Sequence, residues 1–441
     1  MVETHHQTRV SSLISFVIPL SLLLILLLRS SFFPYPEILT EIYFLKSGML
    51  PYTQINDQHF PGFMLLPLNS VEILRIIHIF LIIANFMLLS KILKNFNSVV
   101  RFASLLLYSL FLYSWEGNTL WVDSFIATLS LLGFYVLESG WTFKNNLTYF
   151  FSGLIFGVLL TFKQHGIFLC LAAGVWVLNR RPSLQRLAWF VIGGGLPMAT
   201  ILFWLYKIGV FKDFWFWTVS HNLQGYTRLE GRWPVFGELA RFLSLVIPAL
   251  LLQKSKNVFH YFYLFASLFY VFPRFGLIHA QITLPILIYT ISRKLSPSVA
   301  IVLLTLGVFF TFRVLVKDTP GKIYFYDQST QNTVNYVKEN AKFGRPIYVY
   351  GVNDNIYHLT QTLPPQKTWI ELLRGNIVPG VEDTIISTLK SDPPQFVLVD
   401  LQASIDGQKI QEFTPLIYTY LQNNFSKRVS LTNGVEVWYA K

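Results

Sequence analysis

The chain has 441 residues, of which 53% are hydrophobic and only 13% charged, and its mean hydropathy is +0.47. Such a composition excludes an ordinary soluble globular protein, and the single cysteine, Cys170, excludes an internal disulfide. The net charge of +12 does not signal nucleic-acid binding, because the cations are spread among alternate gaps between apolar runs, as topology and contact with anionic lipid require.

A membrane-spanning helix needs roughly 17–25 mostly apolar residues. Apolar runs approach this length at 12–30, 71–90, 99–115, 119–138, 148–162, 166–178, 187–208, 237–252, 258–273, 277–292 and 298–316, giving about eleven predicted spans. The first run leads into Arg29 and Phe32-Phe33-Pro34 without a small-residue cleavage site, so it is expected to remain as a helix. With the N-terminus inside, the cytoplasmic gaps hold Lys91, Lys94 and Arg101, then Lys144, then Arg180, Arg181 and Arg186, then Lys254 and Lys256, then Arg293 and Lys294. An odd number of spans leaves everything after residue 316 on the outer side.

The outer gaps carry polar groups that a plain helix bundle does not need. Between the first two runs lie Glu37, Glu41, and the stretch Pro51-Tyr52-Thr53-Gln54-Ile55-Asn56-Asp57-Gln58-His59-Phe60-Pro61-Gly62-Phe63. Titratable groups at a bilayer surface are either solvated loop residues or functional ones. As functional groups, Asp57 and Glu37 are candidate general bases for a hydroxyl nucleophile, and His59 can hold a phosphate or orient an acid. Further on, Glu116 and Asn118 occupy a short outer turn. Next comes Ser152-Gly153-Leu154-Ile155-Phe156-Gly157-Val158-Leu159-Leu160-Thr161-Phe162-Lys163-Gln164-His165. Its two glycines share a helical face and permit close packing. Lys163 is a lone cation at the outer helix end, either snorkelling to the surface or facing an anion. The 209–236 gap, with Phe214-Trp215-Phe216-Trp217 followed by Asn222, Tyr226, Arg228 and Arg232, reads as an interfacial aromatic helix with a lid. Arg274 and His279 close the series in Pro273-Arg274-Phe275-Gly276-Leu277-Ile278-His279, ahead of Leu284-Pro285.

From Lys317 the composition turns polar. Residues 331–341, 383–391 and 413–425 read as helices, and 346–350 and 396–401 as short strands. Residues 429–439 alternate around Thr432-Asn433-Gly434, the signature of a hairpin. The predicted architecture is therefore a multi-span α-helical membrane module, 1–316, followed by a small α/β extracytoplasmic domain, 317–441.

These motifs resemble the GT-C glycosyltransferase superfamily, in its protein-mannosyltransferase-like and aminoarabinose-transferase-like branch. The resemblance rests on Gly48-Met49-Leu50-Pro51-Tyr52 with Asp57-Gln58-His59-Phe60-Pro61-Gly62, on the Gly153/Gly157 helix ending in Lys163-Gln164, and on Arg274 with His279, and it covers roughly residues 30–290. It implies an integral-membrane enzyme that transfers a hexose or pentose from a polyprenyl-phosphate carrier, with inversion, to a glycan, lipid or protein hydroxyl. In that scheme Asp57 and Glu37 are the catalytic acids, with Glu41 as the fallback for the first. His59, Lys163, Gln164, Arg274 and His279 bind substrate, the cations holding the donor phosphate. No HExxH, paired Cys or Asp-x-Asp signature marks a metal site, although some members hold a divalent cation between loop acids. The competing reading is a transporter or lipid-handling protein without chemistry. Transporters place charged sites near the bilayer midplane at broken helices, whereas here the acids and cations cluster towards one surface.

Overall fold

The computed structural model describes residues 2–139, 146–180, 183–225, 233–253, 258–272, 275–371, 378–405 and 407–441. Lys144, Arg181, Tyr226, Arg228, Arg232, Lys254, Lys256 and Arg274 lie outside the described residues. By packing, the chain forms two units, each assembled from separate stretches of sequence. One contains Met1–Phe33, Leu74–Ile201 and Arg232–Lys322, and the other Pro34–Ile73, Leu202–Gly231 and Ile323–Lys441.

The first unit is helical. The helices containing Val71–Asn95, Leu184–Lys207 and Pro297–Leu315 are long and apolar enough to cross a membrane, and shorter apolar helices cover Leu13–Arg29, Ser98–Ser114, Asn146–Leu160, Gln164–Asn179 and Phe259–Phe269. The helix Leu184–Lys207 leaves Val191, Ile192, Leu196 and Phe203 exposed, an apolar face of the kind a membrane-crossing helix turns to lipid. Starts are set by local chemistry. The Asn97 side chain accepts the Val100 N–H at 2.8 Å ahead of Ser98–Ser114, and Ser296 does the same for Val299 before Pro297, whose missing N–H costs nothing in a first turn.

Helix Ser98–Ser114 packs against Val2–Arg29 and Pro297–Leu315, and polar side chains stitch it in place. Ser109 Oγ donates to the Pro19 carbonyl at 3.0 Å, and Thr311 Oγ1 to the Leu110 carbonyl at 2.9 Å. The two glycines singled out in sequence are packing residues. A Cβ on Gly153 would stand 2.0 Å from the Phe190 carbonyl oxygen, and one on Gly157 would stand 2.3 Å from that of Gly194. Backbone thus meets backbone between Asn146–Leu160 and Leu184–Lys207.

The expected span 277–292 is instead two helices, Leu277–Ala280 and Leu284–Ser292. Pro285, in the first turn of the second, cannot continue the hydrogen-bond ladder from the first. The break leaves His279 and Gln281 beside the interruption.

The second unit contains a four-stranded sheet. Tyr348–Tyr350 runs parallel to Val397–Val399, which pairs antiparallel with Glu436–Ala440, which in turn pairs antiparallel with Phe425–Ser430. The last two strands form the hairpin expected from Thr432-Asn433-Gly434, with Gly434 at φ +85° supplying the left-handed residue. The central strand Val397–Val399 is fully buried, as its unbroken apolar run demands. Helices Gln328–Asn340, Val381–Ser391 and Pro415–Asn424 lie where the sequence places them. Residues 34–73 belong to this unit, so the helix Glu37–Lys46 and the Asp57 loop are packed by the same body as this sheet.

Candidate active site

In the second unit the chain turns sharply after Pro51. Tyr52 takes φ +65°, its N–H donates to the Ile55 carbonyl at 2.7 Å, and its buried Oη donates to the His59 carbonyl at 2.8 Å. Ile55–Asn56 then forms a short strand parallel to Trp369–Ile370, and the Trp369 N–H donates to the Gln54 carbonyl at 2.7 Å. This folded loop presents Asp57, 3% exposed, with its carboxylate turned back on its own neighbours. Asp57 Oδ1 accepts the Gln58 N–H at 2.6 Å and lies 2.9 Å from His59 Nδ1. The acid and the histidine expected to work together are in direct contact.

Of the 209–236 segment, the short helical turns from Phe211 to Gly225 pack on this loop. Phe214 is buried against Tyr52 and Phe60, with ring centroids 5.1 and 5.4 Å away, and Asn222 Nδ2 donates to the Gln58 carbonyl at 3.2 Å. Trp215 and Phe216 remain exposed, as interfacial aromatics would be.

Glu37 opens the helix Glu37–Lys46, and its Oε2 is shut off from solvent without a hydrogen-bond partner among the described residues. Burial, reinforced by the negative charges of Glu371, Asp354 and Asp57, pushes its carboxyl up to about 8. Burial likewise pushes Asp354 up to about 7, against a hydrogen bond from the Trp369 side chain and with Glu371 adding repulsion. Sequence reasoning missed Asp354 and Glu371, more than 300 positions from Glu37. Glu41, one helical turn beyond Glu37, is 2% exposed and so does not face water.

In the first unit, Lys163 and His279 converge on an acid that the sequence reading passed over. Asp123, fully buried in the first turn of Val122–Ser139, lies 3.1 and 3.3 Å from Lys163 Nζ through its two oxygens. Its Oδ2 is 3.0 Å from His279 Nδ1, and its Oδ1 accepts from Tyr270 Oη at 2.7 Å. Lys163 also stands over the Tyr270 ring, 5.3 Å from its centroid. A buried carboxylate requires such partners. In exchange it holds Lys163 and His279 in fixed positions and neutralises one of their charges. Gln164 opens the single helical turn Gln164–Gly166 beside it. A lone acid at the start of an apolar run was the available signal for Asp123. Among the described residues, no three His, Cys, Asp or Glu side chains form a group placed to hold a metal ion.

In sequence, the chain matches no family model and no curated protein. In structure it is similar to the crystal structure of ArnT, an aminoarabinose transferase, from Cupriavidus metallidurans in the apo state. That likeness has 12% identity and a TM-score of 0.60, and it covers 97% of each chain. It is also similar to an Archaeoglobus fulgidus oligosaccharyltransferase tethered to an acceptor peptide containing the NVT sequon. There the identity is 10% and the TM-score 0.51, with 96% of this chain and 74% of the other covered. Over nearly its whole length the chain shares the fold of these two structures, the GT-C fold.

Proposed function

We propose that this protein is an integral-membrane glycosyltransferase that moves a sugar from a polyprenyl-phosphate carrier to an acceptor hydroxyl at the outer membrane face. The observation that carries the reading is the buried Asp57 carboxylate, held on His59 at 2.9 Å, in the first outer loop of a chain with this fold. In the proposed step the acceptor oxygen attacks the anomeric carbon and its proton passes to Asp57. The bond from that carbon to the phosphate oxygen breaks, with inversion, and the electron pair leaves on the phosphate. His59 fixes the direction of the Asp57 carboxylate. Glu37 plays a different part, because a carboxyl titrating at about 8 is mostly protonated at neutral pH and donates a hydrogen bond rather than taking a proton.

Lys163, Gln164, Arg274 and His279 are assigned to the donor phosphate, with Asp123 holding Lys163 and His279 in place. Two cations on one phosphate supply most of the leaving-group stabilisation. The reading includes about eleven spans and a carboxy-terminal α/β domain on the outer side.

The test is Asp57→Asn, which keeps the shape and removes the proton acceptor. It is expected to lower kcat by about 10²–10⁴-fold while the protein inserts and folds normally. Near-normal turnover would remove Asp57 from the mechanism.

A further inference from the structure

Asp57 is placed by the strand that immediately precedes it. Ile55–Asn56 is two residues long, too short to hold its own conformation, so its geometry comes from its partner. That partner is Trp369–Ile370, in register Ile55↔Trp369 and Asn56↔Ile370, reinforced by the 2.7 Å bond from the Trp369 N–H to the Gln54 carbonyl. Trp369 is in turn fixed on two sides. Its ring, 4% exposed, lies 5.9 Å from that of Phe44 on the helix that begins with Glu37. Its indole N–H, the only polar group of the side chain, meets the Asp354 carboxylate where the two residues line one small cavity. Asp354 itself precedes the helix Asn355–Thr360, whose Tyr357 packs 5.5 Å from Phe44. A chain of contacts therefore runs from Asp354 through Trp369 to the backbone that carries Asp57, entirely within one packed unit.

We infer that Trp369 and Asp354 are positioning residues for Asp57, with the indole–carboxylate bond setting the register of the strand pair from which the catalytic loop departs. The inference rests on the assignment of Asp57 as base and adds a task for the carboxy-terminal segment, which is to hold the catalytic loop. A tryptophan that served only as core filler would need its bulk and not its N–H. This difference makes the idea testable.

Trp369→Phe keeps an aromatic ring and removes the N–H. Asp354→Leu removes the acceptor, and Asp354→Asn keeps an acceptor oxygen in place. In purified, folded protein, Trp369→Phe and Asp354→Leu are expected to lower kcat about 10- to 100-fold, as a base displaced by a fraction of an ångström does, with the donor KM changed by no more than about twofold. Asp354→Asn is expected to restore most of the rate. Hydrogen exchange provides a readout independent of activity, with the amides of residues 54–58 exchanging faster in the two disrupting variants and not in Asp354→Asn. Unchanged exchange there in folded Trp369→Phe overturns the inference whatever the activity. So does an Asp354→Asn variant as impaired as Asp354→Leu, because charge rather than the bond would then matter. If wild-type protein transfers no sugar, the functional reading fails, and the exchange measurement alone decides whether Trp369 and Asp354 hold the loop. If Asp354→Leu does not fold, Trp369→Phe decides.

Discussion

Glu37 has a consequence for stability that can be read without any substrate. Its carboxyl titrates at about 8 in the folded chain against 4.5 when solvated, and Asp354 at about 7 against 3.8. Between those limits the folded state binds more protons than the unfolded one, so stability falls as pH rises from about 4.5 to 8. Thermal unfolding of the purified protein is therefore expected to shift to lower temperature over this range. Glu37→Gln should flatten the decline, and an unchanged slope would show that Glu37 is not held protonated. At Lys163 the expected outcome concerns coupling. Lys163→Ala leaves Asp123 without its lysine, and Asp123→Ala frees the lysine, so each single variant should lose donor use while the double variant loses less than their sum. Additive losses in kcat/KM for a synthetic lipid-phosphate sugar would mean that the pair does not act as one. Asp57 was legible in the sequence from its place in a polar loop between two apolar runs, and Lys163 because it is a charged residue just past the end of an apolar helix. Their surroundings were not, since Asp123 lies 40 positions from Lys163 and only the folded chain brings Asp354 near Glu37.

At the scale of elements, the hydrophobic runs located the helices, and the Asn433-Gly434 turn located the hairpin, because each of these is decided by nearby residues. The interruption between Leu277–Ala280 and Leu284–Ser292 was visible only as Pro285, since an apolar run reports burial and not continuity of the backbone ladder. The contact between Asn146–Leu160 and Leu184–Lys207 is the element-level feature most open to attack. Gly157→Ala places a methyl group 2.3 Å from the Gly194 carbonyl oxygen, where the obstacle is backbone and cannot rotate away. A loss of about 1–3 kcal/mol is expected, seen as a lower unfolding temperature in detergent. Gly195→Ala, on the helix that carries Gly194 and with open space around it, should be nearly neutral. Equal effects of the two variants would show that the close approach does not hold the helices together.

For the whole molecule, the alternation of basic and polar gaps predicts an outer carboxy-terminal segment, so reporter fusions after Lys317 and after Arg181 should report opposite sides of the membrane. Finding both on one side would overturn the orientation. The fold itself was legible from composition and from three motifs, although its likeness to the transferases is carried at only 10–12% identity. Sequence motifs recorded the loops where charge is placed, while the packing that fills the rest is satisfied by many apolar side chains. The most direct test of glycosyl transfer is to incubate the purified protein in lipid vesicles with a synthetic polyprenyl-phosphate sugar and a membrane extract as acceptor source. Release of polyprenyl phosphate and appearance of the sugar on an acceptor is expected from wild-type protein and not from Asp57→Asn. No release from any polyprenyl-phosphate sugar, or transfer from a soluble nucleotide sugar with no lipid donor present, would contradict it.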